Sequence, residues 1–291
     1  MNPWIEALRP RTLPVSVAGV LAGTACAIFY GSFDWRPALL CLMFALLAQV
    51  ASNFANEYFD YLNGLDRKGR EGFRRGVTEG DISPTAMRNA TFLTLLAAAI
   101  PGCALICWGG WWLIIAGLVI GIFALAYSAG PYPLSHHGLG DLAVVTFFGI
   151  VPVGFTAWLM TGTRSILPMA LTVGLGVGLL AANVLIVNNY RDMEDDRAVG
   201  KITTVVLLGR KVMAHLYLMS GIAGLMLMCA PAFWTSAWWI LPLAVIPEVV
   251  HGHKALLRHR GAELNADLGR TARVLLFATL ILLAESIGNY C

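Results

Sequence analysis

Charged side chains are scarce in this 291-residue sequence: they make up only 13% of it and are absent from several long stretches. An ordinary soluble domain carries about 25% charged residues. The stretches without Lys, Arg, Asp or Glu cover residues 89–140, 142–163, 165–190 and 212–247. Because a transmembrane helix needs about 20 apolar residues, the sequence predicts a polytopic integral membrane protein. A large soluble core is the alternative that these runs argue against.

The six cysteines form no Cys-x-x-Cys pair and no spacing typical of a metal site. Most of them lie inside apolar runs, which indicates small buried hydrophobic residues rather than disulfides or zinc ligands. The net charge of +3 does not indicate a nucleic-acid partner. Residues 1–14 lack a signal-peptide layout, because Glu6, Arg9 and Arg11 precede a long apolar run without a small-residue cleavage site.

The apolar runs predict an all-α fold with nine transmembrane helices in a single domain over residues 1–291. The predicted spans cover residues 13–31, 36–58, 88–107, 110–128, 140–161, 166–189, 212–233, 237–256 and 272–289. Only Arg36 and Arg164 of the 20 Lys and Arg residues fall on one side of this arrangement. The positive-inside rule therefore places the N-terminus, and the loops after spans two, six and eight, in the cytoplasm.

Two polar clusters end the second and sixth spans with nearly the same spacing. Their matching positions are Asn53, Asn56 and Asp60 in the first cluster and Asn189, Asp192 and Asp196 in the second. Groups at i, i+3 and i+7 share one face of a helix. Carboxylates at membrane depth are costly and usually mark a site. We therefore predict one cavity, facing the cytoplasm, that holds divalent metal and a polyanion.

The two clusters begin 136 residues apart, at Asn53 and Asn189. Each closes the second helix of a possible four-helix set. The offset predicts a parallel internal duplication with halves over residues 1–130 and 138–257, followed by a final helix over residues 272–289.

The oxygen atoms of both clusters suit Mg²⁺, which keeps several waters and takes one or two carboxylates plus substrate phosphates. Because the two polar helix faces are expected on opposite sides of one cavity, we predict two Mg²⁺ ions around one diphosphate. Mn²⁺ is the alternative ion. The predicted ligands are Asn56, Glu57, Asp60, Asn189, Asp192 and Asp196, and the predicted catalytic set is Asn56, Asp60, Asp192 and Asp196. Helix capping is the alternative for a single cluster.

Basic residues of the two adjoining loops would complete the anion site. They are Arg67, Lys68, Arg74 and Arg75 after the first cluster, and Arg191, Lys201 and Arg210 around the second. Anionic lipid head groups are the alternative partners of the exposed ones.

At this point the residues match a known pattern. The segment Asn56-Glu57-x-x-Asp60-x-x-x-Gly64-x-Asp66 resembles the first acidic motif of the UbiA superfamily of intramembrane prenyltransferases, and Asn189-x-x-Asp192-x-x-x-Asp196 resembles the second. Further blocks resemble the branch of that superfamily that acts on 1,4-dihydroxy-2-naphthoate. These blocks cover residues 4–14, 130–134, 138–141, 188–192, 200–203 and 208–210.

The resemblance implies nine helices around a central cavity with a cytoplasmic polar cap, in a bacterial-type inner or plasma membrane. It also implies Mg²⁺-dependent transfer of a polyprenyl group from polyprenyl diphosphate to 1,4-dihydroxy-2-naphthoate. Pyrophosphate and the ring carboxyl group are lost, which gives demethylmenaquinone for menaquinone biosynthesis. Two alternatives stay open: a related enzyme with another acceptor, such as 4-hydroxybenzoate or a haem, and a secondary transporter.

Further residues are predicted to bind the substrates. The predicted diphosphate-binding residues are Asn53, Arg11, Arg67, Lys201 and Arg210, and the predicted substrate-binding residues are Tyr127, Asp141 and Asp66. The alternatives are binding of the naphthoate carboxylate or interfacial anchoring for Arg11, and helix capping for Asp141. Tyr127, Phe147 and Phe148 are candidates to face an allylic cation, with core packing as the alternative.

This sequence departs from the family pattern at two positions. Glu57 stands where family members usually have Asp, so its metal contact is expected to be longer or to run through water. Tyr132 stands where related sequences often carry Lys or Arg. Whether His136 or His137 replaces that positive charge is open at the level of the sequence.

Overall fold

The structure is a computed structural model that describes residues 2–69, 72–233 and 240–290. Nine helices of 13 to 32 residues dominate this part of the chain. They are α1 (Leu13–Phe29), α2 (Trp35–Leu62), α3 (Pro84–Ala104), α4 (Trp112–Ala126), α5 (Gly140–Thr161), α6 (Leu167–Ala198), α7 (Thr204–Met228), α8 (Ile246–Arg258) and α9 (Leu264–Tyr290). The predicted all-α class is confirmed.

Six helices of the described residues are long and apolar enough to cross a membrane: α2, α3, α5, α6, α7 and α9. Helices α1 and α4 are shorter but equally apolar. The protein is therefore an integral multi-pass membrane protein, as predicted. The number of crossings stays a prediction, since α8 has only 13 residues.

Helix α8 is where the structure differs most from the predicted spans. The predicted eighth span, residues 237–256, begins outside the described residues, and its middle forms the 3-10 turn Leu241–Val245. The helix that follows is amphipathic: Val249 and Leu256 are buried, whereas Lys254 is exposed. Its polar face explains why charges resume at this point of the sequence.

Helix α6 is the most buried of the candidate spans, and it packs against α7, α5, α9 and α1. Glycines permit these close approaches. A Cβ atom on Gly176 would lie 2.5 Å from the carbonyl oxygen of Gly224 on α7. Gly149 lies in the π-helical segment Val145–Ile150 of α5, and a Cβ atom there would collide with the backbone of Gly174 and Gly178.

The other side of the bundle is more open. Helix α2 packs mainly on α3 and makes smaller contacts with α1, α5 and α4. An apolar groove remains between α1, α2, α4 and α5. The fold therefore consists of a tightly packed part around α6 and a second part around α2, with the groove along their boundary.

Helices α2 and α6 both continue past their predicted ends and carry the two polar clusters inside their last turns. Each helix then stops at a glycine in the left-handed region, Gly64 with φ of 66° and Gly200 with φ of 75°. Glycine adopts this conformation without strain, which makes it a common helix terminator. The ends of both helices are thereby fixed four residues beyond Asp60 and Asp196.

Candidate active site

The first cluster forms a hydrogen-bonded unit on α2. Asn56 donates from Nδ2 to Asp60 Oδ2 at 3.0 Å and to Ser128 Oγ at 2.9 Å. Its Oδ1 accepts hydrogen bonds from Arg9 and, at 3.1 Å, from Arg75 Nη2. Asn56 and Asp60 are both buried. The amide of Asn56 therefore fixes the Asp60 carboxylate while two arginines hold the amide itself.

Two groups from outside the cluster lie next to the buried carboxylate of Asp60. His136 Nε2 lies 3.4 Å from Asp60 Oδ1, and Arg75 Nη2 lies 3.9 Å from Asp60 Oδ2. Arg75 Nε also forms an ion pair with Asp66 at 3.1 Å. Since His136 comes from the 3-10 turn Leu134–His136 and Arg75 from the loop after α2, separate chain segments converge on this carboxylate.

The second cluster carries its own cation. Arg191 Nε and Nη2 donate to Asp192 Oδ1 and Oδ2 at 2.7 and 2.8 Å, a bidentate pair between neighbouring residues on α6. One turn later, Lys201 Nζ lies 3.6 Å from Asp196 Oδ1. Arg191, Asp192 and Asp196 are all buried. The i, i+3, i+7 spacing thus places both Asp residues on the inner side of α6, as predicted.

A polar cavity of about 610 Å³ lies between the ends of α2 and α6, and both clusters contribute to its lining. Its polar lining residues include Arg9, Asn56, Arg75, Tyr127, Asp141, Asn189, Arg191, Asp192 and Lys201. A smaller cleft of about 330 Å³ contains Asp60, Asp66, Asp195 and Asp196, and Lys201 lines both spaces. The predicted convergence of the two clusters is therefore what the structure shows.

The apolar groove meets the polar cavity at Tyr127, which lines both. The groove encloses about 1100 Å³ including its open side. Phe147 and Phe148 of α5 line it, together with small and aliphatic side chains of α1, α2 and α4. A Cβ atom on Gly140 would lie 3.4 Å from Tyr127 Oη, so a glycine at that position leaves room beside the hydroxyl group. The charged cavity and the apolar groove thus lie next to each other at Tyr127.

Several predicted site residues lie away from the polar cavity. Glu57 is buried and accepts a hydrogen bond from the backbone N of Val77 at 3.0 Å, beneath the short helix Gly76–Glu79. Asn53 donates to the carbonyl oxygen of Leu8 at 3.1 Å. Glu57 and Asn53 therefore hold neighbouring backbone segments. The metal-ligand role predicted for Glu57 and the diphosphate-binding role predicted for Asn53 stay predictions.

The basic residues divide into exposed and inner ones. Arg67 pairs with Asp195 at the surface, and Arg210 Nη1 donates to Glu194 Oε1 at 2.9 Å. The Arg11 guanidinium lies 5.6 Å from the centre of the Phe73 ring. Lys201 alone of the five predicted diphosphate-binding residues lines the polar cavity.

The two histidines that the sequence left open have different surroundings. His136 approaches Asp60, as described above, whereas His137 stacks on the Tyr132 ring with 3.7 Å between ring centres. His137 Nδ1 also donates to the carbonyl oxygen of Pro133 at 2.8 Å. His136 is therefore the member of the pair that reaches the polar cluster.

Arg9 is a functional candidate that sequence reasoning did not single out. It lines the polar cavity, contacts Asn56, and has a φ of 53°, which is unusual for a residue other than glycine. Its position in an Arg-Pro-Arg sequence before α1 was a weak signal. Arg75 and Arg191 were predicted only as members of a basic set, without individual contacts.

The donor atoms at the cavity fit a hard divalent ion. Within residues 2–69, 72–233 and 240–290, no three His, Cys, Asp or Glu side chains cluster as a protein-only metal cage. A Mg²⁺ site does not need one, because it uses one or two carboxylates with waters and phosphate oxygens. Buried carboxylate and amide oxygens on both sides of a polar cavity provide such partial ligand sets.

The comparison with known sequences agrees with this geometry. The profile of the UbiA prenyltransferase family matches residues 16–281. The 1,4-dihydroxy-2-naphthoate octaprenyltransferase of Escherichia coli is 36% identical, with 96% of this chain and 92% of the relative covered. The enzyme of that name from Mycobacterium tuberculosis is 32% identical, with 89% and 88% covered.

Solved structures show the same fold at low sequence identity. The apo structure of a UbiA homolog from Aeropyrum pernix K1 has a TM-score of 0.67 at 15% identity, with 98% of this chain and 99% of that chain covered. A UbiA homolog from Archaeoglobus fulgidus bound to GPP and Mg²⁺ has a TM-score of 0.64 at 15% identity, with 97% and 99% covered. The resemblance read from the two acidic motifs is confirmed. The chain belongs to the UbiA prenyltransferase family.

Proposed function

We propose that this protein transfers a polyprenyl group from a polyprenyl diphosphate to 1,4-dihydroxy-2-naphthoate. The observation that carries the proposal is the meeting of the polar cavity and the apolar groove at Tyr127. A substrate with a diphosphate head and a long hydrocarbon tail fits such a space. The names of the curated relatives support the choice of acceptor.

The charged end of this space would hold the diphosphate. Asn56 and Asp60 on one side, and Asn189, Asp192 and Asp196 on the other, would bind divalent ions, and we propose one Mg²⁺ for each cluster. When bound, these ions neutralise the diphosphate and make pyrophosphate a better leaving group. Arg9, Arg75 and Lys201 point positive charge into the same region and would stabilise the negative charge that develops as pyrophosphate leaves.

The apolar end would hold the prenyl chain and keep water from an allylic cation. Phe147 and Phe148 line the groove, where their ring faces could stabilise positive charge. Because the groove lies between helices at the side of the bundle, a chain longer than the groove could extend into lipid. The groove therefore suits a polyprenyl donor.

The acceptor would lie beside Tyr127 and Asp141. Asp141 Oδ2 accepts a hydrogen bond from Thr204 Oγ1 at 2.6 Å, while its buried Oδ1 has no hydrogen-bond partner in the described part of the chain. A hydroxyl group of the naphthoate ring would satisfy that oxygen. The ring then forms its new carbon–carbon bond to the prenyl group and loses its carboxyl group as CO₂, which gives the quinol form of demethylmenaquinone.

We further propose that the polar cavity faces the cytoplasm. The unequal distribution of Lys and Arg supports this orientation, because all but Arg36 and Arg164 fall in the sequence segments assigned to the side of the predicted spans where both acidic clusters end. Both substrates would then reach the site from the side where water-soluble precursors are made, while the product leaves into the bilayer.

The test is an assay with purified protein, Mg²⁺, a polyprenyl diphosphate and 1,4-dihydroxy-2-naphthoate, with products identified by mass spectrometry. We expect a prenylated, decarboxylated quinol, and its loss in EDTA. Product from 4-hydroxybenzoate but not from the naphthoate would contradict the proposed acceptor. Absence of turnover with either acceptor, together with EDTA-insensitive solute flux in vesicles, would contradict an enzymatic function and favour a transporter.

A further inference from the structure

Arg191 is held by hydrogen bonds on three sides. An arginine side chain has five N–H donors in a rigid plane. Nε and one N–H of Nη2 are used on the two carboxylate oxygens of Asp192, at 2.7 and 2.8 Å. The other N–H of Nη2 points to Asn188 Oδ1 at 2.9 Å, and Nη1 donates to Asn265 Oδ1 at 2.8 Å. Only one N–H, on Nη1, is left.

The face of the same guanidinium group is also occupied. Its central carbon lies 5.0 Å from the centre of the Phe73 ring, a distance typical of a cation–π contact. The side chain is almost completely buried. An arginine that grips a phosphate normally presents two parallel N–H groups to it. Arg191 has already used both of its paired edges, so its geometry suits orientation of Asp192 better than direct diphosphate binding.

Asn265 is the member of this network that comes from farthest along the chain. It belongs to the first turn of α9, 73 residues after Asp192 in sequence, and it meets Arg191 across the α6–α9 contact. Helix α9 lies outside the two predicted four-helix sets. Its contact with Arg191 gives this last helix a direct connection to the second acidic cluster.

We propose that Asn265 is a positioning residue that acts through Arg191 to orient the Asp192 carboxylate toward a divalent ion. The proposal rests on the proposed function for the identity of the ion, and it assigns Arg191 to Asp192 rather than to the diphosphate. Residues that orient metal ligands typically change metal affinity by about 10- to 100-fold when they are removed. Arg9, Arg75 and Lys201 are other cations that line the polar cavity.

The first test compares Asn265→Ala, Asn265→Asp and a matched control, Asn89→Ala, which removes an exposed asparagine on α3. The readout is the Mg²⁺ concentration that gives half of the rise in Tm in the presence of inorganic pyrophosphate. We expect Asn265→Ala to raise this half-maximal Mg²⁺ concentration about tenfold. Asn265→Asp keeps an acceptor for Arg191 Nη1, so its half-maximal Mg²⁺ concentration should lie within about threefold of wild type. Asn89→Ala should leave the value unchanged.

An Asn265→Ala protein with the wild-type Mg²⁺ requirement would overturn the proposal, and so would an Asn265→Asp protein that behaves like the alanine variant. The thermal readout needs no acceptor. A wild-type protein that forms no product but still shows the Mg²⁺-dependent rise in Tm would therefore contradict the proposed function alone.

The second test is Arg191→Lys, which keeps the positive charge but loses the bidentate geometry. We expect the half-saturating Mg²⁺ concentration to rise as in Asn265→Ala, with the KM for polyprenyl diphosphate at saturating Mg²⁺ within about threefold of wild type. The reverse pattern, a raised KM for the diphosphate with an unchanged Mg²⁺ requirement, would show that Arg191 binds the diphosphate and would overturn the proposal.

Discussion

The two acidic clusters share their backbone geometry down to the bond that closes each helix. The backbone N of Leu65 donates to the carbonyl oxygen of Asp60 at 2.8 Å, and that of Lys201 donates to the carbonyl oxygen of Asp196, also at 2.8 Å. Gly64 and Gly200 occupy equivalent left-handed positions. The offset of 136 residues therefore extends from the polar side chains to the helix ends.

Their surroundings, in contrast, are different. Asp60 depends on His136 and Arg75, which come from two separate segments outside α2. Asp192 is paired with the neighbouring residue Arg191. The comparison teaches that helix periodicity fixes where the acids lie, whereas tertiary packing decides how each charge is balanced.

Removal of either acid should have the largest effect. We expect Asp60→Ala and Asp192→Ala each to lower kcat/KM by at least about 1000-fold, because the first cluster would lose its buried carboxylate at the smaller cleft and the second its buried carboxylate at the polar cavity. Turnover of the detergent-purified variants checks this. The matched control is Glu194→Ala, an exposed acid on α6, which should keep the wild-type rate.

If only one of the two variants lost activity, the two clusters would not act on one diphosphate. Gel filtration of both variants should show the wild-type profile, since each substitution leaves the apolar contacts of its helix intact.

Those features of the site that depend on the geometry of a single helix could be predicted from the sequence. Charge-free runs indicated the long apolar helices, and the i, i+3, i+7 spacing placed Asp60, Asp192 and Asp196 on inner helix faces. These properties depend on one helix at a time. The same reasoning failed where the partner comes from elsewhere, as with Arg9 at Asn56 and Asn265 at Arg191, because no periodicity links residues that are 47 or 74 positions apart.

The eighth span shows a second limit of sequence reasoning. Hydropathy counts apolar residues in a window, but Pro242 and Pro247 each lack the backbone N–H that a continuous helix needs. The chain there forms a 3-10 turn followed by a 13-residue amphipathic helix. The internal duplication stays a prediction, although the equivalent helix ends at Gly64 and Gly200 support it.

The next largest effect should come from making the first cluster resemble the second. Asn56 occupies the position equivalent to Asp192, so Asn56→Asp places an acid at both. We expect kcat/KM to fall by about tenfold, because the new carboxylate would face Asp60 Oδ2 where the Nδ2 group now donates at 3.0 Å. Steady-state kinetics measures this, with Asn89→Asp as the exposed control. Wild-type kinetics in Asn56→Asp would show that the two clusters are chemically interchangeable.

A smaller effect is expected at Glu57, the position with no acidic counterpart on the second cluster's face. Glu57→Gln keeps an acceptor for the backbone N of Val77, so turnover and the Mg²⁺ requirement should stay within about threefold of wild type. Mg²⁺ titration of activity is the measurement. A loss as large as that of Asp60→Ala would indicate that Glu57 is a metal ligand. Each cluster would then supply two acidic ligands.

The smallest effect should come from the opposite end of α2. Asp34 also pairs with an arginine, Arg36, at 2.8 Å, but 26 residues at 1.5 Å each place it about 39 Å from Asp60. The hydrogen bond from Arg36 lowers the pKa of Asp34 to about 2. This pair therefore stabilises the protein above the ordinary carboxyl pKa, and its contribution is lost as the pH falls toward 2.

Because the pair is exposed, Asp34→Asn should lower Tm at pH 7 by no more than about 2 °C. The difference from wild type should shrink as the pH is lowered from 4 to 2, and turnover at pH 7 should be unchanged. A loss of turnover in Asp34→Asn would mean that an acid–arginine pair matters wherever it lies on α2. Unchanged turnover would show that the position of a carboxylate at the polar cavity, rather than its pairing with arginine, makes the two clusters functional.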